Sequence, residues 1–330
     1  MVMELRPLGT SDLRASAVAF GAWALGGWRW GGADERTSID ALKAGLDAGI
    51  NFIDTAPAYG FGVGEEIVGK AIAGRRDQVV IATKCGLIWD EPKGTFFFAS
   101  DDKGRKDDGP RRIHKYLGAE RIRKDLEGSL KRLGTDHVDL LLTHWQDATT
   151  PIEDTLACLL DLKKQGKIRA YGACNATIAD LERYGRLDAD QERYSMLDRK
   201  LEGTNLPWCR AKGAAVLAYS PLEHGLLTGK ITPGRTYKEG DLRVGHPNFT
   251  PENLARVRAL LDRLRPIADG HQATLSQLVI AWTIAQPGLT HALVGARTPE
   301  QARENARAGE IRLSEGDRAA IDAALRDYRK

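Results

Sequence analysis

Cysteine is scarce: the 330-residue chain carries four, Cys85, Cys158, Cys174 and Cys209. They are far apart and form no Cys-x-x-Cys pair, so neither a zinc site nor a disulfide framework is signalled; reduced, buried thiols are expected. Net charge is nearly missing as well. Lys and Arg number 48 against 45 Asp and Glu, which leaves +3, too small and too dispersed for nucleic acid to be the main partner. No apolar run approaches the roughly 18 residues that a membrane span needs, and the first nine residues carry no charged segment leading into an apolar signal core. The expectation is a cytoplasmic protein with neither a membrane nor a nucleic-acid partner. No repeat of fixed period is visible, which excludes a solenoid.

What the chain does have is alternation. Short apolar runs at 17–20, 50–53, 78–83, 138–142, 168–172, 214–218 and 292–294 read as strands, with a weaker strand near 187–191. Helical stretches follow them. Ile39, Leu42 and Leu46 recur at helical spacing over 34–48, where Asp34 can cap the first free amides. Residues 64–73 form the next, and Ile122, Leu126, Leu130 and Leu133 share one face of another. Further helices are expected after Pro151, near Thr177, and over 274–286 and 299–308, with the segment 203–213 following the sixth strand. A hairpin, 3–6 with 13–16, precedes the first strand.

Eight strand-then-helix units can make an open doubly wound sheet or a closed barrel. The open sheet predicts Gly-x-Gly-x-x-Gly straight after the first strand, which is absent. Gly60-Phe61-Gly62-Val63-Gly64 has the wrong spacing and leads into Glu65-Glu66, which would repel a pyrophosphate. The expected fold is therefore α/β, a (β/α)8 TIM barrel with an N-terminal β-hairpin, in which residues 1–330 form one domain. A barrel of about 250 residues plus insertions accounts for the length. Two segments read as long loops after strands three and seven. Residues 87–117 carry Trp89, Phe96, Phe97 and Phe98 beside a charged run that includes Lys103, Arg105 and Lys106; residues 229–250 are rich in Gly, Pro and charge. Loops of this length are often lids, and both would emerge on the same barrel face.

That face is where barrel enzymes keep their chemistry. Asp54 closes strand two, Tyr59 follows in a Pro/Gly-rich turn, Lys84 closes strand three, and His144 lies just past strand four. Singly, each has an ordinary explanation: a turn cap, a packing aromatic, a solvated Lys, a core His. Together at consecutive strand ends they point to function.

These residues and their surroundings resemble the aldo-keto reductases. The resemblance rests on Asn51-Phe52-Ile53-Asp54-Thr55-Ala56-x-x-Tyr59-Gly60 with Glu65, on Ala82-Thr83-Lys84, and on Val138-Asp139-Leu140-x-x-x-His144-Trp145. It extends to Tyr219-Ser220-Pro221-Leu222-x-x-Gly225-x-Leu227-Thr228-Gly229-Lys230 and Gln301-x-x-Glu304-Asn305. The motifs cover nearly the whole chain in order. The insertion after strand seven is similar to the longer-loop bacterial branch, which also includes potassium-channel β subunits.

The resemblance implies hydride transfer from a reduced nicotinamide to a small aldehyde or ketone, reversibly, with Tyr59 giving a proton to the carbonyl oxygen. Lys84 would lower the cost of a tyrosinate, Asp54 would hold Lys84 charged, and His144 would hydrogen-bond the carbonyl. No metal is required, since the proton donor and the cofactor supply acid and reductant. By position, Asn175 and Gln191, at the end of strand six, would hold the nicotinamide carboxamide, Tyr219 would stack beneath the ring, and Cys174 stands where the family usually has Ser. Gly21, Ala22, Trp23 and Asp54 would line the cofactor, as would Ser220, Pro221, Leu222, Gly225, Leu227 and Lys230. At the adenosine end Gly295, Arg297, Gln301, Glu304 and Asn305 would serve, with Thr298 and Gln301 forming a capping box around Pro299. The Lys and Arg of short-loop relatives are replaced by Gly295 and Gln301; Arg297 with Lys230 is the substitute for gripping a 2'-phosphate, which favours NADPH over NADH. Trp23, Trp28, Trp89 and Trp145 would form the carbonyl pocket. Two other readings remain: an NADP(H)-binding regulatory subunit with little turnover, and a Schiff-base aldolase using Lys84.

Overall fold

A computed structural model describes residues 3–101, 109–232 and 234–328; Lys103, Arg105 and Lys106 of the charged run lie outside the described residues. The chain begins with an antiparallel hairpin, β1 (Leu5–Pro7) and β2 (Arg14–Ser16). Its residues Leu8, Leu13 and Ala15 join Ala19, Phe52, Leu140 and Leu217 in one buried cluster, and Gly9 lies against the carbonyl of Asp188. The hairpin thus stoppers the N-terminal end of the barrel.

Then follow β3 (Val18–Gly21), α1 (Glu35–Asp47), β4 (Phe52–Asp54), α2 (Val63–Ile72) and β5 (Val80–Cys85). The segment expected to be a loop after strand three instead contains β6 (Leu87–Ile88), β7 (Thr95–Ser100) and β8 (Arg111–Lys115), a small antiparallel sheet in the order β6-β8-β7. A register shift between Phe96 and Phe98 brings Phe97 and Phe98 to one side, where they pack with Trp28, Trp89 and Trp145. The chain continues through α3 (Ala119–Leu133), β9 (Val138–Thr143), α4 (Ile152–Lys164), β10 (Ile168–Cys174), α5 (Ile178–Tyr184), β11 (Ala189–Arg193), α6 (Asn205–Lys212) and β12 (Ala215–Tyr219). It ends with α7 (Pro251–Gly270), α8 (Leu275–Ile284), β13 (His291–Gly295), α9 (Pro299–Arg307) and α10 (Glu315–Tyr328).

Eight parallel strands close in the order β10-β11-β12-β13-β3-β4-β5-β9, a (β/α)8 barrel. The second apolar layer lies between strands and helices, as in Ile53, Ile81, Leu141 and Val216 against Leu42, Ile67, Leu126 and Leu278. Caps set several helix starts. The Asp34 carboxylate accepts from the Thr37 amide at 2.8 Å, and Thr177 with Asp180 and Thr274 with Gln277 form reciprocal capping boxes. At α9 the box is incomplete: Thr298 accepts from the Gln301 amide, but Gln301 Oε1 accepts from the Arg297 amide at 2.8 Å. That amide lies past the end of β13, where the strand ladder no longer supplies an acceptor.

Five strands lie later than expected: β5 and β11 by two residues, β3 and β12 by one, and β4 by two at its start and one at its end. At β11 parallel pairing decides this: Cys174 opposes Gln191 and Arg193 opposes Tyr219, so the ladder recruits a polar run that has little strand character of its own. Gln191 is therefore mid-strand rather than terminal. Helices α7 and α10 go beyond the sequence expectation, although Val257, Leu260, Leu261, Leu264 and Ala268 bury one face of α7 at helical spacing. Arg256 and Arg263 tie α7 to Tyr328 and Asp327 of α10. No helix among the described residues is long and apolar enough to cross a membrane.

Candidate functional site

Strand ends deliver the first groups. Asp54 is the last residue of β4, Lys84 the last but one of β5, and both are buried. Lys84 Nζ donates to Asp54 Oδ1 and Oδ2 at 2.7 and 2.9 Å, to the Thr55 carbonyl at 3.0 Å and to Tyr59 Oη at 3.0 Å. Four oxygen acceptors thus surround Nζ, which argues against the Schiff-base reading, in which the amine must be free to attack a carbonyl. Gln191 Nε2, pointing inward from β11, donates to Asp54 Oδ1 at 2.7 Å.

The loop carrying Tyr59 is fixed by close backbone approach. A Cβ on Gly60, at φ +69°, would lie 2.4 Å from the Gly26 carbonyl oxygen, and one on Gly26 would lie 2.5 Å from that of Tyr59. Only glycine fits at either position. Behind the loop, Glu65 accepts from Thr83 Oγ1 at 2.5 Å and from Arg132 Nε at 2.7 Å, which locks α2 to β5.

Burial, followed by the charge of Asp54, holds the Tyr59 phenol well above its usual pKa. From Lys84 alone the opposite shift is expected; desolvation wins because the phenolate would be formed away from water. Tyr59 is thus a fixed, protonated acid whose oxygen already accepts from Lys84, leaving its own proton to give. His144 follows β9, with its ring edge-on to Tyr59 at 5.9 Å between centroids. Burial and the Lys84 charge push its pKa well below 6.5, so the imidazole is neutral.

A cavity of about 1060 Å³ opens over this group and runs along the C-terminal rim. One wall is aromatic: Trp28, Phe61, Trp89, Phe97, Phe98 and Trp145, with Trp23 6.4 Å from Tyr59 between ring centroids. At the floor, Asn175 Nδ2 donates to the His144 carbonyl at 3.0 Å and to Cys174 Sγ at 3.1 Å, while Tyr219 Oη donates to Asn175 Oδ1 at 2.8 Å. The Cys174 thiol in turn donates to Gln191 Oε1 at 3.5 Å. The cavity then passes Ser220, Pro221, Leu222 and Gly225 to reach Gly295, Gln301, Glu304 and Asn305.

Three sequence-named residues do not reach its wall. Lys84 lies behind Asp54 and Tyr59, whereas the side chains of Ala22 and Leu227 are fully buried in the core. The pair expected to grip a 2'-phosphate is engaged elsewhere. Arg297 donates to the carbonyls of Trp30 at 3.2 Å and Gly32 at 2.6 Å, and Lys230 pairs with Glu304 at 2.7 Å.

Sequence reasoning missed Arg29, Trp30, Arg193, His224 and Arg243, all of which line the cavity. His224 falls in an unspecified position of the Leu222-x-x-Gly225 motif, and Arg243 lies in the insertion. Neither carried a spacing signal. Arg29, Phe61, Asn175, Ser220 and His224, all in the cavity wall, have φ between 55° and 63°. Such left-handed backbone at non-glycine residues gathers at functional sites. Trp30 Nε1 and His224 Nδ1 are buried there with no partner among the described residues. An elongated cleft, aromatic on one wall and with orphaned polar atoms in it, beside a protonated acid suits a dinucleotide.

A barrel with a buried lysine–tyrosine pair beside such a cleft belongs, by comparison with known proteins, among the oxidoreductases. The profile of the Aldo/keto reductase family matches residues 17–326, and the chain belongs to that family, whose members use a nicotinamide cofactor. It is 44% identical to the NADH-specific methylglyoxal reductase of Escherichia coli (strain K12), over 96% of each chain. It is 34% identical to a probable voltage-gated potassium channel subunit beta of Arabidopsis thaliana, over 94% of this chain and 92% of the relative. Among solved structures, the glycerol dehydrogenase AKR11B4 from Gluconobacter oxydans superposes with a TM-score of 0.86 at 34% identity, covering 98% of this chain and 95% of that one.

Proposed function

We propose that the protein reduces small aldehydes and ketones, reversibly, with Tyr59 as proton donor and NADH as the preferred cofactor. The observation that carries this reading is the buried Asp54–Lys84–Tyr59 chain opening on the cleft. When bound, the reduced nicotinamide supplies the hydride. Asn175 and Gln191 are the residues to hold its carboxamide, and Tyr219 the ring to lie beneath it. Tyr59 donates its proton to the carbonyl oxygen while Lys84, its charge anchored by Asp54, stabilises the developing phenolate. Neutral His144 orients the same oxygen. The aromatic wall excludes water from the carbonyl and favours an apolar or planar substituent on it.

NADH takes the place of the NADPH expected from sequence because the cations meant for a 2'-phosphate already have partners. Arg297 is held by two carbonyls and Lys230 by Glu304. The name of the Escherichia coli relative supports the same choice and suggests 2-oxoaldehydes among the first substrates to try.

The test is steady-state oxidation of NADH and of NADPH with a panel holding methylglyoxal, glyceraldehyde and benzaldehydes. Turnover that Tyr59→Phe abolishes supports the reading, and no turnover across the panel overturns it. Tight cofactor binding without turnover would instead favour the regulatory-subunit reading that the Arabidopsis relative's name raises.

A further inference from the structure

Two acids that the mechanism does not use lie directly behind the carboxamide floor. Asp190 and Glu192 flank Gln191 on β11, and since side chains alternate along a strand, Gln191 points in to Asp54 while the two acids point out toward α6. Both are buried, and neither has a cationic partner among the described residues. Asp190 Oδ2 accepts from Asn205 Nδ2 at 2.9 Å and from Cys209 Sγ at 3.6 Å, but its Oδ1 has no partner.

Two carboxylates cannot both stay ionised side by side in such a place. Burial holds both above the usual carboxyl range, and the charge of Asp190 pushes Glu192 up further. With one of the two protonated, the pair carries one net charge rather than two.

The remaining contacts reach the cofactor floor. Glu192 Oε1 accepts from the Ala176 amide at 2.7 Å, and Asn205 Nδ2 donates to the Ala176 carbonyl at 3.1 Å. Both polar groups of the residue after Asn175 are therefore held by side chains. Asn175 itself has φ +56°, left-handed backbone that Asn adopts more readily than most residues but that its surroundings must still select.

We propose that Glu192 is a positioning residue: with Asn205 it clamps Ala176 and so holds Asn175 in the turn that presents its amide to the nicotinamide. This rests on the reading of Asn175 as a carboxamide holder.

The test compares dissociation constants for NADH and for ADP-ribose, which lacks the nicotinamide, by quenching of tryptophan fluorescence. Glu192→Met should raise the NADH constant about tenfold and leave ADP-ribose at the parent value. Glu192→Gln, which can accept from Ala176 and donate to Asp190, should restore NADH affinity. If Glu192→Met does not fold, Asn205→Leu must give the same split. Parent-like NADH binding, a parallel loss of ADP-ribose, or a Gln variant as weak as Met overturns the proposal. Asn175→Ala separates the two readings. If it leaves the NADH to ADP-ribose ratio unchanged, the carboxamide assignment falls and this proposal with it; if it shifts the ratio while Glu192→Met does not, only the clamp falls.

Discussion

At the end of the cleft proposed to be catalytic, Asp54, Lys84 and Gln191 stand on barrel strands, are buried, and satisfy one another at 2.7 to 2.9 Å. At the end proposed to take the adenosine, Lys230 comes from the insertion, Arg297 from the turn after β13 and Glu304 from α9, and the Lys230 side chain is 57% exposed. One end is a fixed electrostatic device in low dielectric, where each hydrogen bond is worth most. The other is a set of adjustable surface contacts in high dielectric, where an ion pair contributes about 1 kcal/mol or less. Chemistry should therefore be intolerant of change at the first end and cofactor preference tunable at the second.

Tyr59→Phe attacks the first end most directly. It should lower turnover by about 10²- to 10⁴-fold, the range for loss of a positioned acid, with little change in melting temperature; a smaller loss would mean that another group donates the proton. Gly60→Ala tests the backbone rather than the acid. With φ +69° and a Cβ 2.4 Å from the Gly26 oxygen, it must displace the Tyr59 loop, and about 10²-fold of turnover should go with it, as expected of a 1 Å misplacement. Unaltered kinetics would show that the loop adapts.

Glu304→Gln addresses the other end. By freeing Lys230 it should raise NADPH use relative to NADH by a few-fold, the scale of one exposed ion pair; a ratio of specificity constants equal to the parent's would deny Lys230 any part in cofactor choice. The smallest effect is a profile without features. A phenol whose pKa is raised keeps its proton, and an imidazole whose pKa is lowered stays neutral, so turnover at saturation in the reductive direction should be flat from about pH 6.5 to 10. A break near 6.5, or a fall before 10, would show that His144 or Tyr59 titrates as it does in water.

Legibility in the sequence follows the same division. Asp54, Tyr59, Lys84 and His144 could be found because each sits at or just past a strand whose apolar run announces it. Cys174, Asn175 and Gln191 came through family motifs, and the structure brings them together by hydrogen bonds. Arg29, Trp30, Arg193, His224 and Arg243 gave no such notice, since they meet only because the connections after β3 and β12 converge on the end of β11. Phe97 and Phe98 were visible as residues but not as a wall, because their common orientation depends on a bulge in a sheet that read as a loop. The same holds for β11: its strand character comes from neighbours 17 and 26 residues away, as the pairs Cys174 with Gln191 and Arg193 with Tyr219 record.

By itself the sequence determined the eight-fold alternation, the barrel and the order in which acid, lysine and histidine reach its rim, because periodicity and strand ends are local properties of a chain. Only the tertiary structure decided which charges are free. Lys230 and Arg297 look identical in sequence whether they await a phosphate or already hold a carboxylate and two carbonyls, and Asp190 and Glu192 look like surface acids until β11 and α6 close over them. Availability of a charge depends on what packs against it, and that is set by contacts between segments far apart in the chain.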